Sequence, residues 1–256
     1  MTAELLDQPQ KTRPGEELDV GKLEVYLQQA LPGLGGLIEI QQFPRGYSNL
    51  TYLLRVGERE LVLRRPPFGA KIKTAHDMGR EYHILSHLTA VYSKVPRPCA
   101  YCADEAVLGA PFYIMERVKG IILRTNPPEG LDLTPTLMGR ISEGFMENLA
   151  EIHSIDYVSA GLGELGRPEG YVSRQVEGWI KRYLNARTDD ISEMDRLAGW
   201  LVEHKPAEAG ACLIHNDYKY DNLVLAPENP ARIKAVLDWE MATVGYWILE
   251  VGCFVL

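Results

Sequence analysis

The stretch His215-Asn216-Asp217-Tyr218-Lys219-Tyr220-Asp221-Asn222, followed by Val236-Leu237-Asp238-Trp239, decides how this chain is read. It sets two carboxylates and a carboxamide, Asp217, Asn222 and Asp238, in a short region of alternating apolar and polar residues. Leu223-Val224-Leu225 reads as a short strand, Ala226-Pro227-Glu228-Asn229-Pro230 as a turn, and Arg232 to Leu237 as a second strand. Such a hairpin brings Asn222, just before its first strand, near Asp238, just after its second. Two oxygen ligands then converge on one cation. Phosphoryl transfer from a nucleotide needs that set: one carboxylate to take or orient the proton of the attacking hydroxyl, and a second carboxylate with an amide oxygen to hold Mg²⁺ against the phosphates. Asp217 is the expected catalytic residue, with Asn222 and Asp238 the expected metal ligands.

Composition sets the frame. The chain has 256 residues, 46% hydrophobic and 24% charged, which suits one large domain or two lobes. Net charge is −8, and no Lys/Arg cluster of the nucleic-acid type occurs, so a polyanionic partner is not expected. Met1 to Glu17 is polar and contains prolines, and no run approaches the length of a membrane span, so the chain reads as cytoplasmic with no membrane partner. Cys99 and Cys102 form a lone CxxC, read as a pair of reduced thiols in a strand-like segment rather than a zinc site.

Asp19 to Leu31 reads as a helix capped by Asp19. Leu37 to Gln42, Leu50 to Val56 and Leu61 to Arg65 read as strands. Thr74-Ala-His-Asp77 resembles a capping box opening a helix to about Leu88, and Pro111 to Val118 reads as another strand. From Thr134 onward helices dominate, at about 135–154, 171–187 and 190–204. In the third strand, alternation puts Val62 and Arg64 on one face and Leu63 and Arg65 on the other.

H-x-D-x-x-x-x-N with a downstream strand ending in Asp resembles the aminoglycoside phosphotransferase and choline kinase group, which shares the protein-kinase-like fold. The likeness runs from about residue 37 to 252. It is closest to the subgroup found beside, or fused to, acyl-CoA dehydrogenases, to which Phe43-Pro-Arg-Gly-Tyr-Ser-Asn-Leu-Thr-Tyr52 and Leu61-Val-Leu-Arg-Arg-Pro-Pro67 are similar. The resemblance implies an α+β, two-lobed architecture. Residues 1–17 are a flexible tail, 18–118 an N-lobe of antiparallel sheet with one helix that binds nucleotide, and 119–256 a helical C-lobe carrying the catalytic loop.

It also implies roles for particular residues. The loop between the first two strands offers Gly46, Ser48 and Asn49 to phosphate oxygens. Arg64 matches the phosphate-binding cation, where most members of the group carry Lys, and Arg65 is the alternative. Val62 matches the floor under the base, Glu81 the helix carboxylate paired with the cation, and Glu116 to Val118 the hinge whose backbone meets the base edge. Lys219 is placed to neutralise the transferred phosphate, and His215 to fix the loop. About sixty residues, from Ile155 to Leu213, separate the long helix from the catalytic loop, a helical insertion typical of small-molecule kinases. Its aromatic residues, Trp179, Tyr183 and Trp200, are expected in the core.

After Gly245 the group usually continues with Asp-Pro and a further Asp, whereas here the residues are Tyr246, Trp247 and Glu250. Glu250 is expected to brace the catalytic loop. The chain stops at Leu256, short of the helices with which the group usually finishes its C-lobe, as a fragment or a truncated product. Its last apolar run is expected to be partly exposed and to favour a homodimer. The expected function is ATP- and Mg²⁺-dependent phosphorylation of a hydroxyl on a small metabolite such as a hydroxyacyl-CoA-like acid. The alternatives are an aminoglycoside or choline-like amino alcohol as acceptor, and a nucleotide-binding protein that does not catalyse.

Overall fold

A computed structural model of the chain describes residues 5–44, 49–69, 77–208 and 210–252. Gly46 and Ser48 of the expected phosphate loop, Thr74 of the expected capping box, and Phe254, Val255 and Leu256 of the apolar end lie outside these residues. In chain order the elements are α1 (Val20–Ala30), β1 (Ile38–Gln42), β2 (Leu50–Val56), β3 (Arg59–Arg65), α2 (Met78–Leu88), β4 (Pro98–Cys102), α3 (Glu105–Leu108) and β5 (Phe112–Glu116). Then come α4 (Pro135–His153), α5 (Tyr171–Ala186), α6 (Ser192–Glu203), β6 (Ala211–Ile214), β7 (Leu223–Ala226), β8 (Asn229–Val236), β9 (Thr243–Tyr246) and α7 (Trp247–Gly252). No helix among the described residues is long and apolar enough to cross a membrane. The chain packs as two units, Met1–Ala150 with Asp217–Met241, and Glu151–Asn216 with Ala242–Leu256.

In the first unit, β1 to β5 form one antiparallel sheet in the order β1-β2-β3-β5-β4. Its two faces differ in chemistry. One face presents Tyr52, Leu54, Leu61, Leu63, Phe112 and Ile114, and α1 covers it with Leu23 and Leu27. That helix starts where expected, because the Asp19 side chain accepts the Lys22 N–H at 3.0 Å. The other face carries Val62, Arg64, Tyr113 and Met115, in the register Val62↔Met115 and Arg64↔Tyr113. The cap of α2 differs from the expected box: Asp77 is itself the N-cap and accepts the Arg80 N–H at 2.9 Å. An aspartate there reaches the third helical N–H directly. Cys99 and Cys102 are free thiols on β4, and burial pushes both upward.

The β7–β8 hairpin completes this unit, paired Leu223↔Val236 and Val224↔Ala235. It lies against the α4 residues of the same unit, where a side chain at Gly144 would collide with the Ala231 carbonyl. Gly120 makes a similar close approach to the carbonyl of Leu225 on β7, while the next residue, Ile121, bridges Leu225.

The second unit has a β6–β9 antiparallel pair over a small core of Tyr171, Val172, Cys212, Ile214 and Tyr246. α5 and α6 pack on each other. Trp179 and Trp200, expected in the core, are 65% and 55% exposed. Each is satisfied on its own helix instead: Trp200 stacks on His204 at 4.5 Å, and Arg182 lies over the Trp179 ring at 4.6 Å.

Candidate active site

Arg64 is the hub of the first unit's polar face. Its Nη1 meets Glu81 Oε1 at 2.9 Å and its Nη2 meets Asp238 Oδ1 at 2.8 Å. One planar guanidinium thus forks to two carboxylates, which a single ammonium cannot do with the same geometry. Burial works against the Arg64 charge, but Glu81 and Asp238 outweigh it and hold the group protonated. Burial also pushes the Glu81 carboxyl up to about 7, against the pull of Arg64 and with the charge of Asp238 adding to the rise. Glu81 Oε1 accepts the Trp239 N–H at 3.1 Å as well, while the buried Tyr113 hydroxyl lies beside the Glu81 carboxylate, outside good hydrogen-bond geometry, and still pulls against its rise. Arg65 points to the opposite face of the sheet, where it donates to the carbonyls of Leu108 and Pro66 and stacks on Phe68. Strand alternation therefore separates the two arginines as expected.

The hairpin places the two proposed metal ligands side by side at its open end. The Leu237 N–H donates to the Asn222 carbonyl at 2.8 Å, immediately before Asp238. Asp238 takes a left-handed backbone, φ 67°, which short polar residues tolerate and which recurs at functional sites. Trp239 anchors the next step: it is fully buried and its Nε1 donates to the Val236 carbonyl at 2.9 Å. Asn222 Nδ2 donates to both the carbonyl and Oδ2 of Asp217 at 2.8 Å, which leaves Asn222 Oδ1 without a hydrogen bond among the described residues. Asp217 Oδ1 is paired with Lys219 Nζ at 2.8 Å. Beneath them the Tyr218 hydroxyl donates to the Phe145 carbonyl and accepts from Asn148, fixing the loop to α4.

These side chains surround one cavity of about 560 Å³, within the size range of small-ligand sites. One end is apolar, with Val62, Met115, Val224 and Leu237 in its walls. There the Val118 N–H has no hydrogen-bond partner among the described residues, so a donor is available at the hinge. The other end holds Arg64, Asp217, Lys219, Asn222 and Asp238. Asn49 and Glu116 also line it. The Glu116 side chain is exposed, and the Asn49 amide is committed to Glu240 Oε2 at 2.5 Å, which ties the start of β2 to the segment after Asp238. Glu81 reaches the cavity only through Arg64. Gly46 and Ser48 are not among the described residues.

His215 and Glu250 belong to the second unit. Glu250 Oε1 accepts the N–H groups of His215 and Asn216 at 2.8 and 2.7 Å, and Glu250 Oε2 meets His153 Nε2 at 2.7 Å. Glu250 thus reaches the backbone of the two residues that precede Asp217. Sequence reasoning missed Tyr113, Glu240 and Asp7. Tyr113 is signalled by the strand register opposite Arg64 and Glu240 by its place two residues after Asp238, whereas Asp7 has no local signal.

Comparison with known proteins bears on this geometry. The profile of the phosphotransferase enzyme family matches residues 39–256. The chain is 37% identical over 238 residues to acyl-CoA dehydrogenase family member 11 of Rattus norvegicus, covering 91% of this chain and 30% of that protein. It is 38% identical over 224 residues to family member 10 of Mus musculus, covering 87% and 21%. The chain therefore spans less than a third of the length of these two relatives. Among solved structures, a putative aminoglycoside phosphotransferase from Ralstonia eutropha superposes with a TM-score of 0.79 at 34% identity, over 92% of this chain and 69% of that one. A macrolide 2'-phosphotransferase at 19% identity and TM-score 0.65 shares the fold. A family profile that runs through both β3 and the hairpin takes in Arg64, Asp217, Asn222 and Asp238 alike, and the chain belongs to the phosphotransferase enzyme family.

Proposed function

We propose that the chain is an ATP- and Mg²⁺-dependent kinase that phosphorylates a hydroxyl of a small metabolite. The observation that carries this reading is the make-up of this cavity, with apolar walls beside the Val118 N–H, which has no partner among the described residues, and Arg64, Asp217, Asn222 and Asp238 beyond them. Val62 and Val224 suit the two faces of a base. Arg64 suits phosphate oxygens, which accept from its fork once Asp238 turns to a cation. The residues fit magnesium as well: Asn222 Oδ1 and Asp238 are the oxygens that would hold it, and when bound it neutralises charge on the phosphates. Asp217, kept in place by Asn222 and Lys219, orients the acceptor hydroxyl and takes its proton late. One solved protein of the same fold, at 17% identity, is recorded as a ternary complex with streptomycin and ATP.

For the acceptor, similarity to proteins named as acyl-CoA dehydrogenase family members favours a hydroxylated acyl-CoA or a related acid. Release of ADP from Mg-ATP, measured with a hydroxyacyl-CoA, an aminoglycoside and choline in parallel, tests that choice. Asp217→Asn should keep nucleotide binding and lose about 10²–10⁴ in turnover, the range for a positioned base. A variant that keeps most of the turnover would assign the hydroxyl to another residue. Asp238→Ala should remove the magnesium-dependent part of thermal stabilisation by ATP, and an unchanged shift would remove Asp238 from the metal site.

A further inference from the structure

Residues 7–16, part of the segment expected as a flexible tail, form a strap across one wall of the cavity. β1 is an edge strand, and edge strands leave backbone groups open to pairing. Gln10 and Gln42 exchange backbone hydrogen bonds at 2.7 and 2.8 Å, Gln42 Nε2 donates to Glu16 Oε2 at 2.5 Å, and the Tyr52 hydroxyl donates to the Glu16 carbonyl at 2.7 Å. Upstream, the strap reaches the segment after the hinge. The Asp7 N–H donates to the Gly120 carbonyl at 3.2 Å, and Arg117 Nη2 donates to the Asp7 carbonyl at 2.7 Å. Asp7 Oδ1 meets Arg124 Nη2 at 3.1 Å, and both side chains line the cavity. Asp7 Oδ2 has no hydrogen bond among the described residues.

We propose that Asp7, with Arg124 beside it, binds the ribose hydroxyls of the nucleotide. The inference rests on the nucleotide reading above. In any nucleotide the sugar sits between base and phosphates. With the base against Val118 and the phosphates toward Arg64, the sugar borders the residues just past the hinge. The cavity wall there is Gly120, Ile122 and Arg124, and among these residues only Arg124 is polar, a donor with no acceptor capacity. A ribose diol has two hydroxyl protons to place, and Asp7 supplies the missing acceptor from a distant part of the chain. Carboxylates serve ribose hydroxyls in the same way in dinucleotide sites. The Asp7–Arg124 pair is partly exposed, 22% and 20% by side chain, so it is worth little as an ion pair and Asp7 Oδ2 remains available. Gly120 is required on the opposite side of the same contact, because a side chain there would strike Leu225 and Val224 of β7.

The test uses the full chain and two ligands, Mg-ATP and Mg-2',3'-dideoxy-ATP, with dissociation constants measured by calorimetry. The wild type should bind ATP more tightly than the dideoxy analogue. Asp7→Ala should weaken ATP binding about tenfold and leave dideoxy-ATP within about twofold, the signature of a lost hydrogen bond to a hydroxyl that the analogue lacks. Asp7→Asn, which keeps one acceptor oxygen, should fall between. Equal weakening of both ligands would mean that the strap is only structural, and no weakening of either would mean that Asp7 does not meet the sugar. Each of those results overturns the inference but leaves the kinase reading intact. A wild-type chain that binds neither ligand overturns both.

Discussion

Two buried carboxylates, one in each unit, are treated in opposite ways. Glu250 is 3% exposed and has both oxygens satisfied, Oε1 by two backbone N–H groups and Oε2 by His153. Glu81 is 1% exposed, shares Arg64 with Asp238, and has Oε2 buried with no well-formed hydrogen bond, only the Tyr113 hydroxyl lying beside the carboxylate. A fully bonded carboxylate is a brace, since any change of partner costs hydrogen bonds. A half-bonded one beside a shared cation is a part that can rearrange, because Arg64 and Asp238 can change partners while Glu81 keeps one end of the guanidinium. The second unit thus fixes the two residues that precede Asp217 in the chain, and the first unit holds charges whose pairing a ligand can change.

The largest effect should come from removing the brace. Glu250→Ala leaves two loop N–H groups and His153 without the acceptor they now share, a loss of about 3–9 kcal/mol at about 1–3 per stranded group. Glu250→Gln keeps one oxygen and should lose less. Urea midpoints for both variants are the check, and a loss below about 1 kcal/mol for Glu250→Ala would end the description of Glu250 as a brace.

Glu81 should reveal itself through pH. Its carboxyl sits near 7 in the fold against an ordinary value near 4.5. A raised acid favours the folded state while it stays protonated, and that advantage is lost as pH rises from the unfolded value through the folded one. Between pH 5 and pH 8 the wild type should lose up to roughly 3 kcal/mol more stability than Glu81→Gln, whose side chain does not titrate. Parallel slopes for the two proteins would place the Glu81 carboxyl in its ordinary range.

What was legible in the sequence follows from how local each interaction is. The hairpin, Asp217, Asn222 and Asp238 fall within 22 residues, and short-range alternation suffices to bring them together. Arg64 was separable from Arg65 because a strand turns successive side chains to opposite faces. Glu250 was expected as a brace only through the family resemblance, because it stands where the group usually carries a further Asp. Asp7 could not, since its partners Arg117 and Arg124 are 110 and 117 residues away and a polar, proline-containing segment carries no sign of where it docks. The Asn49–Glu240 tie spans 191 residues and was missed for the same reason. Trp179 and Trp200 were misread because residue type tells how much a side chain gains from burial, not which side of a helix has a neighbour.

A smaller effect should follow from replacing the fork by a point charge. In Arg64→Lys one ammonium reaches Glu81 or Asp238 but does not bridge both in one plane, so one carboxylate of the pair loses its partner. Asp238 is 27% exposed by side chain and can take water, which limits the cost to about 1–2 kcal/mol. If Lys is as stable as Arg by denaturation, the sharing of Arg64 does not matter to the resting protein, and the contrast with Glu250 lies only in burial.

The smallest effects should be on the outer face of α5 and α6. Trp200→Ala removes one stack on His204 and Trp179→Ala one contact with Arg182, and exposed contacts of this kind are worth about 0.5–1 kcal/mol. Only part of the apolar area of each is lost, because both residues are already more than half exposed. Each variant should therefore unfold within about 1 kcal/mol of the wild type, with no dependence on protein concentration. A loss of several kcal/mol, or a midpoint that rises with concentration in the wild type and not in the variants, would mean that this face is covered in solution. The second unit would then be held by a partner surface as well as by Glu250, and the division of labour drawn from the two carboxylates would have to include it.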